Sequence, residues 1–254
     1  MSIDERTAYE GRQAEFWTEK GDKFTTVGDY LGRLPSVRML RARKGENILD
    51  AGCGAGFVSR LIARQGASVW GCDRSEAMIE KAQSIGTKDG LGITFARADI
   101  AEKLPYENGF FDAVSCVAVL IHDSPEECHA FLKEAFRVLK PSGRILISVM
   151  HPDLFQPESP CRTGRASWVR YAPLEDKPMS VSQKFAEDYW DSSRQLFKSA
   201  VWYHPLSLFP ELFRKAGFAV ASEHHQLVTP EILKLCSQTG DAGYRAFYQI
   251  IGTK

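Results

Sequence analysis

Between residues 45 and 151 the chain repeats one pattern: a short, almost uninterrupted apolar run, a turn, then an amphipathic segment. ENILDAG predicts a strand, FVSRLIARQG a helix closed by Gly66, and ASVWGCD a second strand. SEAMIEKAQSIG predicts a helix capped by Ser75, with Ala77, Met78, Ala82 and Ile85 as its apolar stripe. GITFARAD and FDAVSCVAVL predict the third and fourth strands. SPEECHAFLKEAFRVLKPSG predicts a helix that starts at Ser124 and Pro125 and stops at Pro141–Gly143, and GRILISVMH the fifth strand. Strands with a solvated face alternate polar and apolar residues, and these do not. They demand a parallel sheet covered by helices on both sides, the α/β class.

The flanks differ. Residues 3 to 20 read as a polar helix carrying Tyr9, Phe16 and Trp17, and DYLGRLPSVRMLRARKG as a helix ending near Gly45. Together they make a helical cap over 1–44, ahead of a core at 45–151. Residues 152–203 are rich in Pro, Ser, Arg, Tyr and Trp, with no long amphipathic period, and read as an ordered loop covering an active site. LSLFPELFRKAGF then predicts a helix ending at Gly217. AVASEHHQL and YRAFYQIIGT predict strands that return 204–254 to the core sheet, the last as an antiparallel addition.

Bulk properties exclude several functions. Lys plus Arg equals Asp plus Glu, 32 against 32, so no global basic field exists to attract nucleic acid. No run approaches the roughly 18 apolar residues of a membrane span. The start, MSIDERTAYEGRQAEF, lacks the features of a signal peptide. Six cysteines are scattered without C-x-x-C spacing, which argues for reduced structural thiols in a cytoplasmic protein and for no metal site.

ILDAGCGAG, at 48–56, places Gly52, Gly54 and Gly56 in the turn after the first strand, where backbone can approach a ligand. Asp73, 23 residues after Asp50, ends the second strand, where an acid can accept the hydroxyls of a ribose. A nicotinamide site would fit the glycines but not the rest. Asp50 before them would repel a pyrophosphate and welcome a cationic amino group. Asp99, in ARADIAEKLPY, suits an adenine amino group, and no second glycine-marked half follows.

ILDAGCGAG, GCDRSEAMIEKA, ARADIAEKLPYENGFFDAVSC and LKPSGRIL together resemble the successive motifs of class I S-adenosylmethionine-dependent methyltransferases, in particular the ubiquinone/menaquinone-type small-molecule enzymes. The resemblance is strong over about 45–150 and extends through YHPLSLFPELFRKAGF. It implies a Rossmann-like seven-stranded mixed sheet of order 3-2-1-4-5-7-6 with helices on both faces and strand seven antiparallel. It implies S-adenosyl-L-methionine as cofactor, its methionine moiety held by Asp50 and the backbone of Gly52, Cys53, Gly54 and Gly56. Asp73 would take the ribose, with Met78 or Arg74 bordering the adenine. Asp99 would accept the adenine amino proton with Ile100 against the ring, and Val117, just beyond the fourth strand, would lend backbone. Met78 and Ile100 fit a purely core role as well.

Methyl transfer needs in-line placement above all, and an oxygen or nitrogen nucleophile can also need a base. The candidates are His122, His151, Tyr203 and His204, with His224 and His225 behind them. His122 and His151 follow the fourth and fifth strands at the carboxyl edge. His122 would serve as base or merely order the loop before Ser124. His204 is followed by Pro205, where related enzymes carry arginine, which favours a role in positioning the next helix. Tyr9, Trp17 and Tyr30 in the cap, and Trp168, Tyr171, Tyr189, Trp190, Trp202 and Tyr203, suit either a flat apolar acceptor or the insertion's own core. Arg162, Arg165 and Arg170 read more simply as a solvated face than as an anion site. The expected activity is methyl transfer to an oxygen, nitrogen or carbon of a small molecule. The alternatives are a non-catalytic cofactor-binding protein and, further off, an NAD-dependent oxidoreductase. Monomer and homodimer stay open.

Overall fold

The computed structural model describes residues 26–254 apart from 168, 176, 191–195 and 239. The expected helix over 3–20, with Tyr9 and Trp17, lies outside the described residues, as do Trp168 and the side chains of Tyr189 and Trp190.

Among the described residues ten strands form two sheets. β1 (Asn47–Ala51), β2 (Ser68–Asp73), β3 (Thr94–Arg97), β4 (Phe111–Val117) and β5 (Leu139–Met150) come from the repeated segment. β6 (Val169–Pro173), β7 (Gln183–Trp190) and β8 (Leu196–Tyr203) come from the insertion, and β9 (Ala219–Leu227) and β10 (Arg245–Thr253) close the chain. The main sheet runs β3-β2-β1-β4-β5-β10-β9. Without the insertion's strands this is the expected 3-2-1-4-5-7-6, with β10 antiparallel to both β5 and β9. The four pairings among β1 to β5 are all parallel, so the first five strands end on one edge.

Helices cover both faces, as continuous apolar strands require. On one side α1, a π-turn at Asp29–Arg33 running into Leu34–Leu40, and α2 (Phe57–Ala63) bury Val37, Leu40, Val58 and Ile62 against Ile48, Ala113, Val117 and Leu146. On the other, α4 (Pro125–Val138) and α6 (Leu208–Ala216) pack Phe131, Leu132, Phe209 and Phe213 over Val114, Ile145 and Ile147. α3 (Glu76–Asp89) sets Ile79 and Ala82 on Phe95 at the β3 edge. Ser75 caps α3 by accepting from Met78 N. Ser124 and Glu127 cap each other's backbone at α4, satisfying two of its orphan amides.

Two boundaries differ from expectation. α1 stops at Leu40 rather than near Gly45, because Arg41 turns left-handed (φ 51°). Arg144 of β5, paired with Glu46 at 2.7 Å, donates to the Leu40 and Arg41 carbonyls and so finishes the helix. β5 begins at Leu139, so LKPSG belongs to the strand, with an irregular register opposite Phe111–Ala113.

The insertion is a correction as well. It holds a short helix, α5 (Pro160–Thr163), and the antiparallel sheet β6-β7-β8, not only a loop. Val169, Tyr171, Phe185, Val201 and Tyr203 alternate along these strands and join the main core, while Arg170, Lys184, Lys198 and Ala200 between them face outward. A last short helix, α7 (Pro230–Leu235), precedes β10. All six cysteines are free and buried. Among the described residues no helix is long and apolar enough to cross a membrane.

Candidate active site

The carboxyl ends of β1 to β4 converge around the glycine turn. Gly52, Gly54 and Gly56 all take positive φ (71°, 53° and 80°). A Cβ on Gly52 would lie 2.4 Å from Val119 Cγ2, so that glycine is demanded by packing as well as by φ. Among the described residues Gly54 has only Met78 Sδ near, at 4.0 Å, and is the open side of the turn.

Three acids end three consecutive strands here. Asp73 reaches back from β2 and accepts the Gly54 amide at 2.9 Å and the Ser75 amide at 3.0 Å. Asp99, just past β3, accepts the Ala101 amide at 3.0 Å. Asp50 is 2% exposed, turned into the sheet, and accepts the Ser59 hydroxyl at 2.5 Å, with Ser115 also bonded to it. Burial raises its pKa to about 6 against these hydrogen bonds.

That rise has a consequence for stability. A carboxyl with a pKa of 3.8 unfolded and about 6 folded binds its proton more tightly in the native state. Its contribution is greatest below pH 4 and is lost as pH climbs to 6, a cost of roughly 3 kcal/mol. Asp50→Asn, which keeps an acceptor for Ser59, should therefore melt higher than wild type at pH 7.5 and equally at pH 4. Thermal melts at the two pH values check this, and an unchanged difference between them contradicts it.

The other turn residues separate. Cys53 donates its amide to Cys72 O at 2.8 Å, and burial pushes its thiol well up. Ile100 belongs to the main core at 5% exposure, whereas Met78, at 7%, lies against the open face of Gly54. Val117 is the last residue of β4, not beyond it, and packs toward α1 and α2. The strand breaks at Ala118, which takes φ 60°. Arg74 reaches from the β2 end to the loop after β4, its Nη1 3.6 Å from Asp123 Oδ1.

The four base candidates lie in three settings. His204 is buried and holds the insertion down: Nε2 faces the Leu120 and Asp123 carbonyls (3.3 and 3.2 Å) and Nδ1 the Ser182 hydroxyl (3.0 Å). Tyr203 donates its hydroxyl to the Met179 carbonyl and packs its ring on Phe155 and Phe185. His151 is fully buried, with Nδ1 accepting the Asp153 amide (3.1 Å) and Nε2 meeting His225 Nδ1 (2.9 Å). His122 is half-buried and bonds the Ala200 backbone of β8. Among the described residues no group takes its second nitrogen. Burial, then the charge of Arg74, lower its pKa to about 4, so it is neutral at pH 7. Of the other histidines, His224 meets the Ser222 hydroxyl, at 3.1 Å.

Sequence reasoning missed Ser59 and Ser115, the partners of Asp50, and Val119 and Asp123 in the loop after β4. Ser59 carried a signal, a polar residue beside Val58 on the inward side of a short helix. Val119 carried none, since its role depends on a close approach to Gly52.

Residues 48–143 match a protein family described as a methyltransferase domain. They are a methyltransferase domain. The domain contains every residue expected at the cofactor together with His122, whereas His151, Tyr203 and His204 lie past its end. The chain is similar to the ubiquinone biosynthesis O-methyltransferase of Coxiella burnetii (strain Dugway 5J108-111), 32% identical over 120 residues, which cover 47% of this chain and 50% of that protein. The enzyme of that name from Hahella chejuensis (strain KCTC 2396) is 33% identical over 119 residues, covering 47% and 49%. The chain thus spans about half the length of the relatives it matches. Its fold resembles the PH0226 protein of Pyrococcus horikoshii OT3, with TM-score 0.63, 24% identity and 87% of each chain covered. It also resembles the 1,6-didemethyltoxoflavin-N1-methyltransferase of Burkholderia thailandensis, with TM-score 0.60, 18% identity, and 99% of this chain and 85% of that one covered. Outside the methyltransferase domain, these likenesses extend the Rossmann-like fold through β9 and β10.

Proposed function

We propose that the chain transfers a methyl group from S-adenosylmethionine to an oxygen, nitrogen or carbon of a small-molecule acceptor. The observation that carries this is a glycine turn left open at Gly54 among the described residues, with Asp73 bonded to it and Asp99 following the neighbouring strand, while Asp50 lies buried in β1 beside it. Such a site favours a cationic ligand and repels a pyrophosphate. The residues fit the cofactor in kind: Asp73 ends β2 as an acceptor suited to ribose hydroxyls, and Asp99 has an oxygen for an adenine amino group. The Gly52–Gly56 backbone would hold the methionine end, with Asp50 buried against Ser59 rather than facing the ligand, and Met78 and Ile100 would border the base. When bound, this cofactor supplies an activated methyl group on a sulfonium.

The protein's own task is then to place the acceptor and take its proton. His122 fits the second part, with one nitrogen fixed by Ala200 and the other unclaimed among the described residues. Clasped to the loop after β4 through Trp202 N–Ile121 O (2.7 Å) and His204, the insertion acts as the cover that excludes water from a small acceptor. Similarity to a ubiquinone biosynthesis O-methyltransferase and to an N1-methyltransferase supports an oxygen or nitrogen acceptor. Balanced charge argues against a nucleic-acid acceptor, and the free buried thiols fit a reducing, cytoplasmic setting.

The test is methyl transfer from labelled S-adenosylmethionine to a panel of phenols, amines and activated carbon acids, read as product one methyl group heavier. Asp73→Ala should weaken cofactor affinity by about tenfold or more by removing two charge-assisted hydrogen bonds. Tight cofactor binding with transfer to no acceptor would favour a non-catalytic binding protein.

A further inference from the structure

Beneath the glycine turn lies a side chain that the methyltransferase reading does not use. Arg60 of α2 is 1% exposed, the largest of the fully buried side chains. Its Nη1 donates to the Ala55 carbonyl at 2.7 Å, and its Nε lies 3.6 Å from Asp89 Oδ2 at the end of α3. Arg64 shares that carboxylate at 3.1 Å. The peptide joining Ala55 to Gly56 is therefore held on both sides: Arg60 takes its carbonyl, and its N–H donates to Cys53 O at 2.9 Å. Gly56 rests directly on this support, since a Cβ there would sit 3.0 Å from Arg60 Nη1 and 2.8 Å from Phe95 Cζ.

Burying a guanidinium is costly, and an apolar side chain of similar volume fills such a slot at no loss of stability in many proteins. What an apolar residue cannot do is hold the Ala55 carbonyl. On the opposite side of the turn Asp73 holds the Gly54 amide. We infer that Arg60 is a positioning residue for the cofactor turn, fixing the Ala55–Gly56 peptide so that the turn keeps its open side at Gly54. The inference rests on the cofactor reading above. It adds a determinant of affinity that reaches the turn through the Ala55 carbonyl, with Asp89 near its charge.

Arg60→Met and Arg60→Lys in the full chain, titrated calorimetrically with S-adenosylmethionine and S-adenosylhomocysteine and melted in parallel, decide it. Arg60→Met should keep its melting temperature within a few degrees and bind both ligands about tenfold more weakly, the effect of one lost charge-assisted hydrogen bond. Arg60→Lys, with a single-point donor, should fall between Met and wild type. If Arg60→Met does not fold, Arg60→Lys decides alone: weaker binding at an unchanged melting temperature supports the inference. A lower melting temperature with wild-type affinity in either variant overturns it and leaves Arg60 a core residue. Wild-type protein that binds neither ligand overturns the cofactor reading and this inference with it, whereas wild-type binding matched by Arg60→Met overturns the inference alone.

Discussion

Replacing His122 by glutamine should lower kcat for methyl transfer to an oxygen or nitrogen acceptor by about a hundredfold or more, with cofactor affinity unchanged within about twofold. The expectation follows from what each candidate's polar atoms already do. His151 and His204 have partners on both ring nitrogens, and the Tyr203 hydroxyl is spent on the Met179 carbonyl. His122 alone is anchored through one nitrogen while its second is unclaimed among the described residues. Its pH signature is specific. Burial and Arg74 lower the folded pKa from 6.5 to about 4, so the neutral, proton-accepting form persists down to that value. The acid limb of kcat/KM should therefore stay flat from pH 7.5 to about 5 and fall only near pH 4, whereas an ordinary histidine would halve the rate near 6.5. A rate that survives His122→Gln would mean that placement alone drives transfer.

Gly52→Ala should be the most damaging single change in the turn. Its φ of 71° strains any side chain by about 1–2 kcal/mol, and the new Cβ would meet Val119 Cγ2 at 2.4 Å. Val119 follows a residue itself held at positive φ, Ala118, so the loop has little room to yield. A total cost of about 2–4 kcal/mol is expected, with cofactor affinity down by about a hundredfold as β1's turn is pushed from the loop after β4. Gly45→Ala is the control: φ is 83° but no described residue lies within 4 Å, so only the backbone strain remains. Gly52→Ala combined with Val119→Ala should recover the packing part and not the φ part, a coupling that a double-mutant cycle reads directly. Chemical denaturation of the wild type, Gly52→Ala, Val119→Ala, the double variant and Gly45→Ala, with ligand titration of those that fold, checks the set. Equal losses for Gly52→Ala and Gly45→Ala would remove Val119 from the account.

Much of this was legible in the sequence because the signals were local. Uninterrupted apolar strands led to a parallel sheet, Ser75 and Ser124 marked the helix starts where they occur, and the acid–glycine spacing located the turn. Other features were hidden where they depend on distant contacts. The sheet in the insertion was obscured because its inward residues, Tyr171, Phe185, Val201 and Tyr203, alternate over short strands set between proline- and serine-rich stretches. The aromatic character of the tyrosines was visible, but only packing shows that Phe155 meets Tyr171 at a tilt and Phe185 and Tyr203 edge to face. Asp50 was readable as an acid at a strand end, yet its inward turn depends on Ser59 and Ser115, which belong to α2 and β4. The four base candidates look alike as letters. They separate only when the partners of each nitrogen and hydroxyl are known.

The central claim is that this glycine turn and its acids hold a sulfonium nucleoside, and calorimetry tests it most directly. Purified protein titrated with S-adenosylmethionine and S-adenosylhomocysteine should bind both with roughly micromolar affinity, bind both about tenfold or more weakly on Asp73→Ala, and ignore NADH. Tight binding of NADH with none of S-adenosylmethionine would contradict the account.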